Sequence, residues 1–179
     1  MSEVAVFHYD VGSPWSWLAG ERVTHVLGSV PVWQPVLAAG LPGASLAADR
    51  SAVDAAAALQ GLPPPRWPEP FPFDSELAML AATFAKQTGR AVAFSLAAMR
   101  QAFAGGRDLS VTDNVLIAAA ACELHPRAVL KAVETAGVRD ALAEATAGAA
   151  AAGIGELPAL VSGGRVFSGP SAVEDARDG

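Results

Sequence analysis

Cysteine is nearly absent from this chain of 179 residues, which contains a single one, Cys122. One cysteine cannot form an intramolecular disulfide, and it cannot run the thiol–disulfide cycle of a dithiol oxidoreductase. Cys122 lies in an alanine-rich helical pattern and is expected to be a small buried apolar side chain. Any sulfur chemistry must therefore concern sulfur that the protein binds.

Positive charge is also scarce, because 12 Lys and Arg residues face 18 Asp and Glu residues, for a net charge of −6. Nucleic acids and anionic membrane surfaces attract basic proteins, so both are disfavoured as partners. The three histidines, residues 8, 25 and 125, lack the spacing of metal ligands, and no metal site is expected. Small molecules are the expected partners.

Long apolar runs are missing as well. The relevant one covers residues 115–122 and is far too short to cross a membrane. The N-terminus has no basic stretch, and Asp10 follows soon after it, so no signal peptide is expected. A cytoplasmic protein is the resulting expectation.

The first part of the chain has the pattern of a strand–helix–strand unit. Residues 4–9 form an apolar run typical of a buried strand, and residues 30–33 predict a second strand, closed by Gln34 and Pro35. An apolar-periodic stretch between them predicts one helix reaching about Gly28. This order implies a right-handed parallel crossover.

The remainder is a long helical block followed by a hairpin. Helices are predicted at residues 47–59, 74–88, 91–104, 115–124, 126–136 and 138–152, with a proline-rich loop at 61–72. The pair Gly163-Gly164 predicts a hairpin between strands at 158–161 and 165–167, and 171–177 predicts a last helix. The order predicts an α/β, thioredoxin-like fold with a core at 1–43 and 153–179 and an inserted helical subdomain at 44–152.

Residues 13–16 read Ser-Pro-Trp-Ser and are the most informative part of the chain. They follow the first predicted strand and a turn, so Ser13 is expected to cap a helix whose first residue is Pro14. A helix N-terminus favours anions, thiolates included, and thioredoxin-fold dithiol enzymes have Cys-x-x-Cys at this place. A plain helix cap is the alternative interpretation. Asp10 is expected either to lie buried beneath this site or to begin the turn.

Two later segments are expected to meet this helix start. Leu157-Pro158 stands where thioredoxin folds have a cis-proline, and the alternative is a trans proline that opens an edge strand. Gly169 and Ser171 flank Pro170 in a turn before the last helix, which Ser171 could cap. Trp17 is expected in the core, whereas Trp15 could line a cleft.

Five segments together resemble one family, the 2-hydroxychromene-2-carboxylate isomerases and kappa-class glutathione transferases of the DsbA-like branch of the thioredoxin superfamily. The matches follow in the right order over nearly the whole chain. They are residues 9–19, 32–37, 66–72, 153–159 and 166–169.

The resemblance implies a glutathione-dependent isomerase. It implies that Ser13 hydrogen-bonds the sulfur and stabilises a thiolate, which adds reversibly to a conjugated double bond of an aromatic acid. Leu157 would pair with the backbone of glutathione, and Trp67 would line the substrate cleft. The residues expected to contact the thiol cofactor are Ser13, Trp15, Ser16, Leu157, Pro158, Gly169 and Ser171.

Two differences from the family leave alternatives open. Ser171 stands where members usually have an Asp that holds the amino group of glutathione, and no lysine lies near residues 42–49. The thiol could therefore be glutathione or another small thiol. The alternative functions are a kappa-class-like glutathione transferase and a peptide- or thiol-binding module without dithiol redox activity. An open cleft between Ser13, Trp67 and Leu157 favours an enzyme, and a filled one favours the module.

The end of the chain bears on assembly. The last predicted helix is short for the closing helix of this fold, so a partner chain could cover what that helix normally covers. A homodimer is accordingly an open expectation.

Overall fold

The computed structural model describes residues 4–179, and the start of the N-terminal stretch used above, residues 1–3, lies outside the described residues. Four strands and nine helices follow one another in the described part of the chain. In order they are β1 (Val6–Tyr9), α1 (Pro14–Gly20), α2 (Val23–Leu27), β2 (Val32–Pro35), α3 (Arg50–Leu59), α4 (Glu76–Gln87), α5 (Ala91–Phe103), α6 (Thr112–Ala121), α7 (Pro126–Val133), α8 (Ala136–Ala151), β3 (Ala159–Ser162), β4 (Arg165–Ser168) and α9 (Ala172–Asp178).

The strands form one sheet in the order β2-β1-β3-β4. β1 and β2 are parallel, and the two other pairs are antiparallel. The parallel pairing of the first two strands and the hairpin at Gly163-Gly164 are therefore confirmed, as is the mixed α/β class with helices inserted between the two halves of the sheet. A short 3₁₀ turn at Ala38–Gly40 follows β2.

The prediction of a single helix reaching Gly28 is wrong. The helix is broken at Glu21 and Arg22 into α1 and α2. Arg22 leaves helical geometry at φ −123° and ψ −15°. Its guanidinium donates to the carboxylate of Glu174 in α9 at 2.8 and 2.9 Å. The contact bridges residues 152 positions apart, which local periodicity cannot reveal.

The predicted boundaries of three helices are also wrong, and side-chain caps account for two of them. α3 begins at Arg50 rather than residue 47, since the Asp49 side chain accepts the amide hydrogens of Ser51 and Ala52. α6 covers Thr112–Ala121 rather than the predicted residues 115–124. The helix predicted to end at residue 136 also ends earlier. α7 ends at Val133, and Thr135 caps α8 by accepting the amide hydrogen of Val138.

The main hydrophobic core lies between the sheet and the helices. It joins sheet residues such as Phe7 and Leu160 to insertion residues such as Phe94 and Phe103, all of them fully buried. A smaller cluster includes Val36, which follows β2, and Ala149 of α8. The division into 1–43 plus 153–179 and 44–152 stays a prediction. No helix among residues 4–179 is long and apolar enough to span a membrane.

Candidate functional site

Ser13 is the N-cap of α1, as expected. Its Oγ accepts the amide hydrogen of Ser16 at 3.1 Å, and Pro14 is the first helical residue. Ser13 itself is held in the turn, because its amide donates to the carbonyl of Asp10 at 3.0 Å. Within residues 4–179 the Ser13 hydroxyl makes no other hydrogen bond, so its own hydrogen is left to donate.

Ser16 stands at the second cysteine position of a dithiol motif and is completely buried. Its Oγ has no hydrogen-bond partner in the described part of the chain. Trp17 is 2% exposed and belongs to the core, which confirms that expectation, whereas Trp15 is half-buried and packs against the edge of the core. The start of α1 therefore presents two hydroxyl groups that the fold itself does not fully use.

A buried carboxyl group organises the turn beneath Ser13. Asp10 is 0% exposed and accepts the amide of Gly12 at 2.8 Å, the amide of Ala38 at 2.9 Å and the hydroxyl of Ser75 at 2.9 Å. Both interpretations of Asp10 are thus correct, since it begins the turn and lies beneath the site. Burial raises the pKa of Asp10, and the three hydrogen bonds offset part of that rise.

The peptide bond between Leu157 and Pro158 is cis. The antiparallel register ends with His8 paired to Ala159, so Pro158 precedes β3 at the same end of the sheet at which Tyr9 ends β1. The Leu157 loop and the turn that holds Ser13 therefore share one end of the sheet. Among the described residues, the backbone N–H and C=O of Leu157 form no hydrogen bond. Both groups are therefore free to pair with the backbone of an extended ligand.

Gly169 and Ser171 lie beside this loop. The amide of Gly169 donates to the carbonyl of Pro158 at 2.8 Å. Ser171 is the N-cap residue of α9, as expected, but its hydroxyl donates to Asp175 at 2.7 Å and accepts no amide hydrogen of the first turn. This bond is charge-assisted, because the hydroxyl donates to an ionised carboxylate.

Sequence reasoning missed one charged group at this place, Glu156. A methyl group built on Gly169 would lie 3.0 Å from Glu156 Oε2, so the carboxylate rests directly on the glycine. Gly169 has φ +89°, a conformation that glycine adopts freely. The side chain is exposed and forms no ion pair within the described residues. The two-residue hairpin turn could have revealed this neighbour in the sequence, because it sets Pro158, two residues after Glu156, opposite Gly169.

Trp67 belongs to an aromatic cluster on the proline-rich loop. Its ring meets Phe71 edge to face at 4.9 Å and Phe103 at 6.1 Å between centroids. Phe103 in turn stacks on Trp17 of α1 at 5.8 Å. The cluster thus reaches α1 through Phe103, one turn away from Ser13.

Access to the helix start is narrow. Ser13 and Leu157 are 3% and 7% exposed. Five surface cavities of about 370–460 Å³ are lined by other residues, mainly of the helical insertion. Ser13, Trp67 and Leu157 line none of these five cavities, so none of them is the open cleft expected of an enzyme.

Comparison with known proteins agrees with this architecture. A family model described as a DSBA-like thioredoxin domain matches residues 4–178. No curated protein sequence gives a significant match. The solved structures that resemble this chain share little sequence with it, so their likeness concerns the fold.

Three of these structures illustrate the range. A 2-hydroxychromene-2-carboxylate isomerase superimposes with a TM-score of 0.85 at 13% identity, over 98% of this chain and 93% of that chain. A probable DsbA oxidoreductase from Streptomyces coelicolor gives 0.77 at 20% identity, over 97% and 86%. The cytosolic disulfide reductase DsbM from Pseudomonas aeruginosa, solved with GSH, gives 0.71 at 16% identity, over 98% and 96%.

Proposed function

Because this chain belongs to the DsbA-like thioredoxin family, we propose that it is a thiol-dependent isomerase of conjugated aromatic acids, with glutathione as its thiol. One observation carries the proposal. Ser13 stands at the helix start where dithiol members have cysteine, and its hydroxyl hydrogen is unused while its oxygen is held by the Ser16 amide. A sulfur atom brought by a ligand fits beside such a donor.

The residues around Ser13 fit glutathione in two further respects. The free N–H and C=O of Leu157 suit the extended backbone of a tripeptide. The exposed carboxylate of Glu156, resting on Gly169, suits the α-ammonium group of the same molecule. Glu156 would thereby supply the charge that Ser171 lacks.

Glutathione, when bound, supplies a sulfur nucleophile that adds reversibly to a conjugated double bond and so permits rotation and elimination. Ser13 donates a hydrogen bond to the sulfur, which favours its ionised form. The first amides of α1 add partial positive charge at the same point.

A second candidate is a thiol- or peptide-binding module without catalysis. The near-complete burial of Ser13 and Leu157 favours it, because so little exposed surface leaves little room for a second substrate. A kappa-class-like glutathione transferase would use the same thiol site with a different acceptor, and it differs from the isomerase only in substrate.

The test is calorimetric titration of the protein with reduced glutathione. Wild type is expected to bind, and Ser13→Ala is expected to bind about tenfold more weakly at a pH where the thiol ionises, because one charge-assisted hydrogen bond is lost. Ser29→Ala serves as the matched control, since Ser29 is exposed and far along the chain from the site.

Turnover of conjugated aromatic acids then separates the candidates. Thiol-dependent isomerisation that falls in Ser13→Ala supports the isomerase. Binding of glutathione without any turnover favours the binding module, and equal affinities of wild type and Ser13→Ala would reject the role of Ser13.

A further inference from the structure

A cationic side chain lies over the aromatic cluster of the proline-rich loop. The guanidinium of Arg50 is 5.1 Å from the centroid of Trp67 and 5.9 Å from that of Phe71. Arg50 is the first residue of α3, and the Asp49 cap fixes this helix start. Trp67 is held in turn by its Nε1–H, which donates to Asp54 at 3.2 Å. The guanidinium is therefore positioned from both sides.

The charge of Arg50 is only weakly neutralised. Its ion pair with Glu69 is 3.6 Å long, and the two side chains are 47% and 78% exposed. Arg100 and Arg22 hold their carboxylates at 2.7 and 2.8 Å, so the Arg50 pair is loose by comparison. An exposed pair of this length is readily exchanged for a carboxylate with better geometry.

The cluster is also joined to the turn that holds Ser13. The side chain of Leu46, four residues before Arg50, lies against Gly12, where an added Cβ would be 3.0 Å from Leu46 Cδ1. From the other side, Trp67 reaches α1 through Phe103 and Trp17. The entry to α3 and the proline-rich loop thus flank the start of α1.

We propose that Arg50 binds the carboxylate of the aromatic acid substrate, displacing Glu69, while the wall formed by Trp67 and Phe71 contacts the ring. This inference rests on the proposed function and names the residues that select its substrate class. A planar guanidinium binds a carboxylate through two parallel hydrogen bonds, and stacking on the rings pre-orients it for that geometry. Among the described residues, Arg50 is the one arginine that lies over two aromatic rings.

The experiment is calorimetric titration with trans-cinnamate, a conjugated aromatic acid, in the absence of thiol. Arg50→Gln is expected to weaken binding about tenfold, because the charge-assisted contact is lost. Glu69→Gln is expected to strengthen binding about twofold, since a weak competing carboxylate is removed. Arg66→Gln is the matched control, being an exposed arginine of the same loop, and should leave affinity unchanged.

The decisive result is that Arg50→Gln weakens cinnamate binding while Glu69→Gln strengthens it. A purely structural role of the Arg50–Glu69 pair would make both variants bind cinnamate more weakly. Arg50→Lys should retain part of the affinity, which guards against misfolding of the glutamine variant. Cinnamyl alcohol, which lacks the carboxylate, should bind wild type and Arg50→Gln alike. No binding of cinnamate by wild type, or equal binding by Arg50→Gln, would overturn the inference.

The glutathione titration keeps the two proposals apart. Arg50→Gln should bind glutathione as wild type does, because Arg50 has no part in the thiol site. Cinnamate binding that depends on Arg50 in a protein that ignores glutathione would reject the thiol-dependent isomerase while retaining the acid site.

Discussion

At the scale of single residues, Asp10 shows how one buried group holds the site together. Its two oxygens join the turn before α1, the 3₁₀ turn after β2 and the segment that begins α4, through Gly12, Ala38 and Ser75. All three partners donate, so one side chain links three separate segments of the chain. Removing it would loosen the turn that orients Ser13.

Asp10 should also make stability depend on pH. Burial raises its folded pKa above the ordinary value of 3.8, so the folded state keeps its proton to higher pH than the unfolded state does. The contribution of this group to the free energy of unfolding is therefore largest below the unfolded pKa and declines as pH rises towards the folded pKa.

Urea unfolding between pH 3.5 and pH 7 checks this expectation against Asp10→Asn. The asparagine leaves one amide hydrogen without an acceptor at every pH, which gives a constant cost. The advantage of wild type over Asp10→Asn should shrink as pH rises through this range. Parallel pH profiles for the two proteins would show that Asp10 has an ordinary pKa.

Glu156 gives a second prediction at this scale. Glu156→Gln should weaken glutathione binding about two- to fivefold, the range expected for an exposed charge pair. The effect should vanish with N-acetylglutathione, which has no ammonium group. Glu134→Gln, an exposed acid between α7 and α8, is the control. If Glu156→Gln binds glutathione as tightly as wild type does, Glu156 does not bind the ammonium group.

Sequence alone reached part of this site. The Ser13 cap and the buried Cys122, which is 6% exposed, follow from local pattern and composition and are confirmed. Glu156 and Arg50 escaped notice because their neighbours, Gly169 and Trp67, are distant along the chain. A single charged residue in a loop carries no periodicity that would reveal what it faces.

At the scale of elements, α8 is fixed to the loop after β2 by Thr146. Its Oγ1 accepts the amide hydrogen of Leu37 at 3.0 Å and donates to the carbonyl of Leu142 at 2.8 Å. Gly40 packs against the same side chain, since an added Cβ would lie 2.7 Å from Thr146 Cγ2. The two hydrogen bonds prevent Thr146 from moving aside.

Gly40→Ala should therefore destabilise the protein by about 1–3 kcal/mol, the usual cost of overpacking. Thr146→Ser removes the obstructing methyl group and keeps both hydrogen bonds. Combined with Gly40→Ala, it should recover most of the lost stability, as measured by urea unfolding. Additive losses in the double variant would mean that the contact with Cγ2 is not the cause.

The helix boundaries show where pattern reasoning stops at this scale. Leu18 and Val23 continue one apolar stripe across α1 and α2, so periodicity predicts a single helix there. The break comes from Arg22, whose partner Glu174 lies at the other end of the chain. Only the assembled fold brings the two together.

At the scale of the whole molecule, one core joins the sheet to the helical insertion. We expect a single cooperative unfolding transition, because Phe7 of the sheet and Phe94 of the insertion belong to the same buried cluster. Tryptophan fluorescence reports mainly residues 1–43, which hold Trp15, Trp17 and Trp33. Far-UV circular dichroism reports mainly the helices of residues 44–152.

The two signals should give the same urea midpoint within error. A circular dichroism transition at lower urea than the fluorescence transition would show that the insertion unfolds by itself. In that case the predicted division into two subdomains would describe folding units as well as segments of the chain.

The overall topology was within reach of the sequence. The order of strand, helix and strand, then helices, then a hairpin leaves few right-handed arrangements, and the glycine pair sets the hairpin register. What could not be predicted is the placement of the proline-rich loop against α1. That placement depends on contacts of Trp67 and Phe71 with Phe103, which no local rule encodes.

The serine that replaces the second cysteine has a consequence for chemical durability. Ser13 and Ser16 cannot be oxidised by peroxide, and Cys122, the one thiol of the chain, is buried with its pKa raised by that burial. The site can thus be neither cross-linked nor inactivated at sulfur by oxidants that disable dithiol relatives. No reducing partner is needed to restore these two serines after exposure to an oxidant.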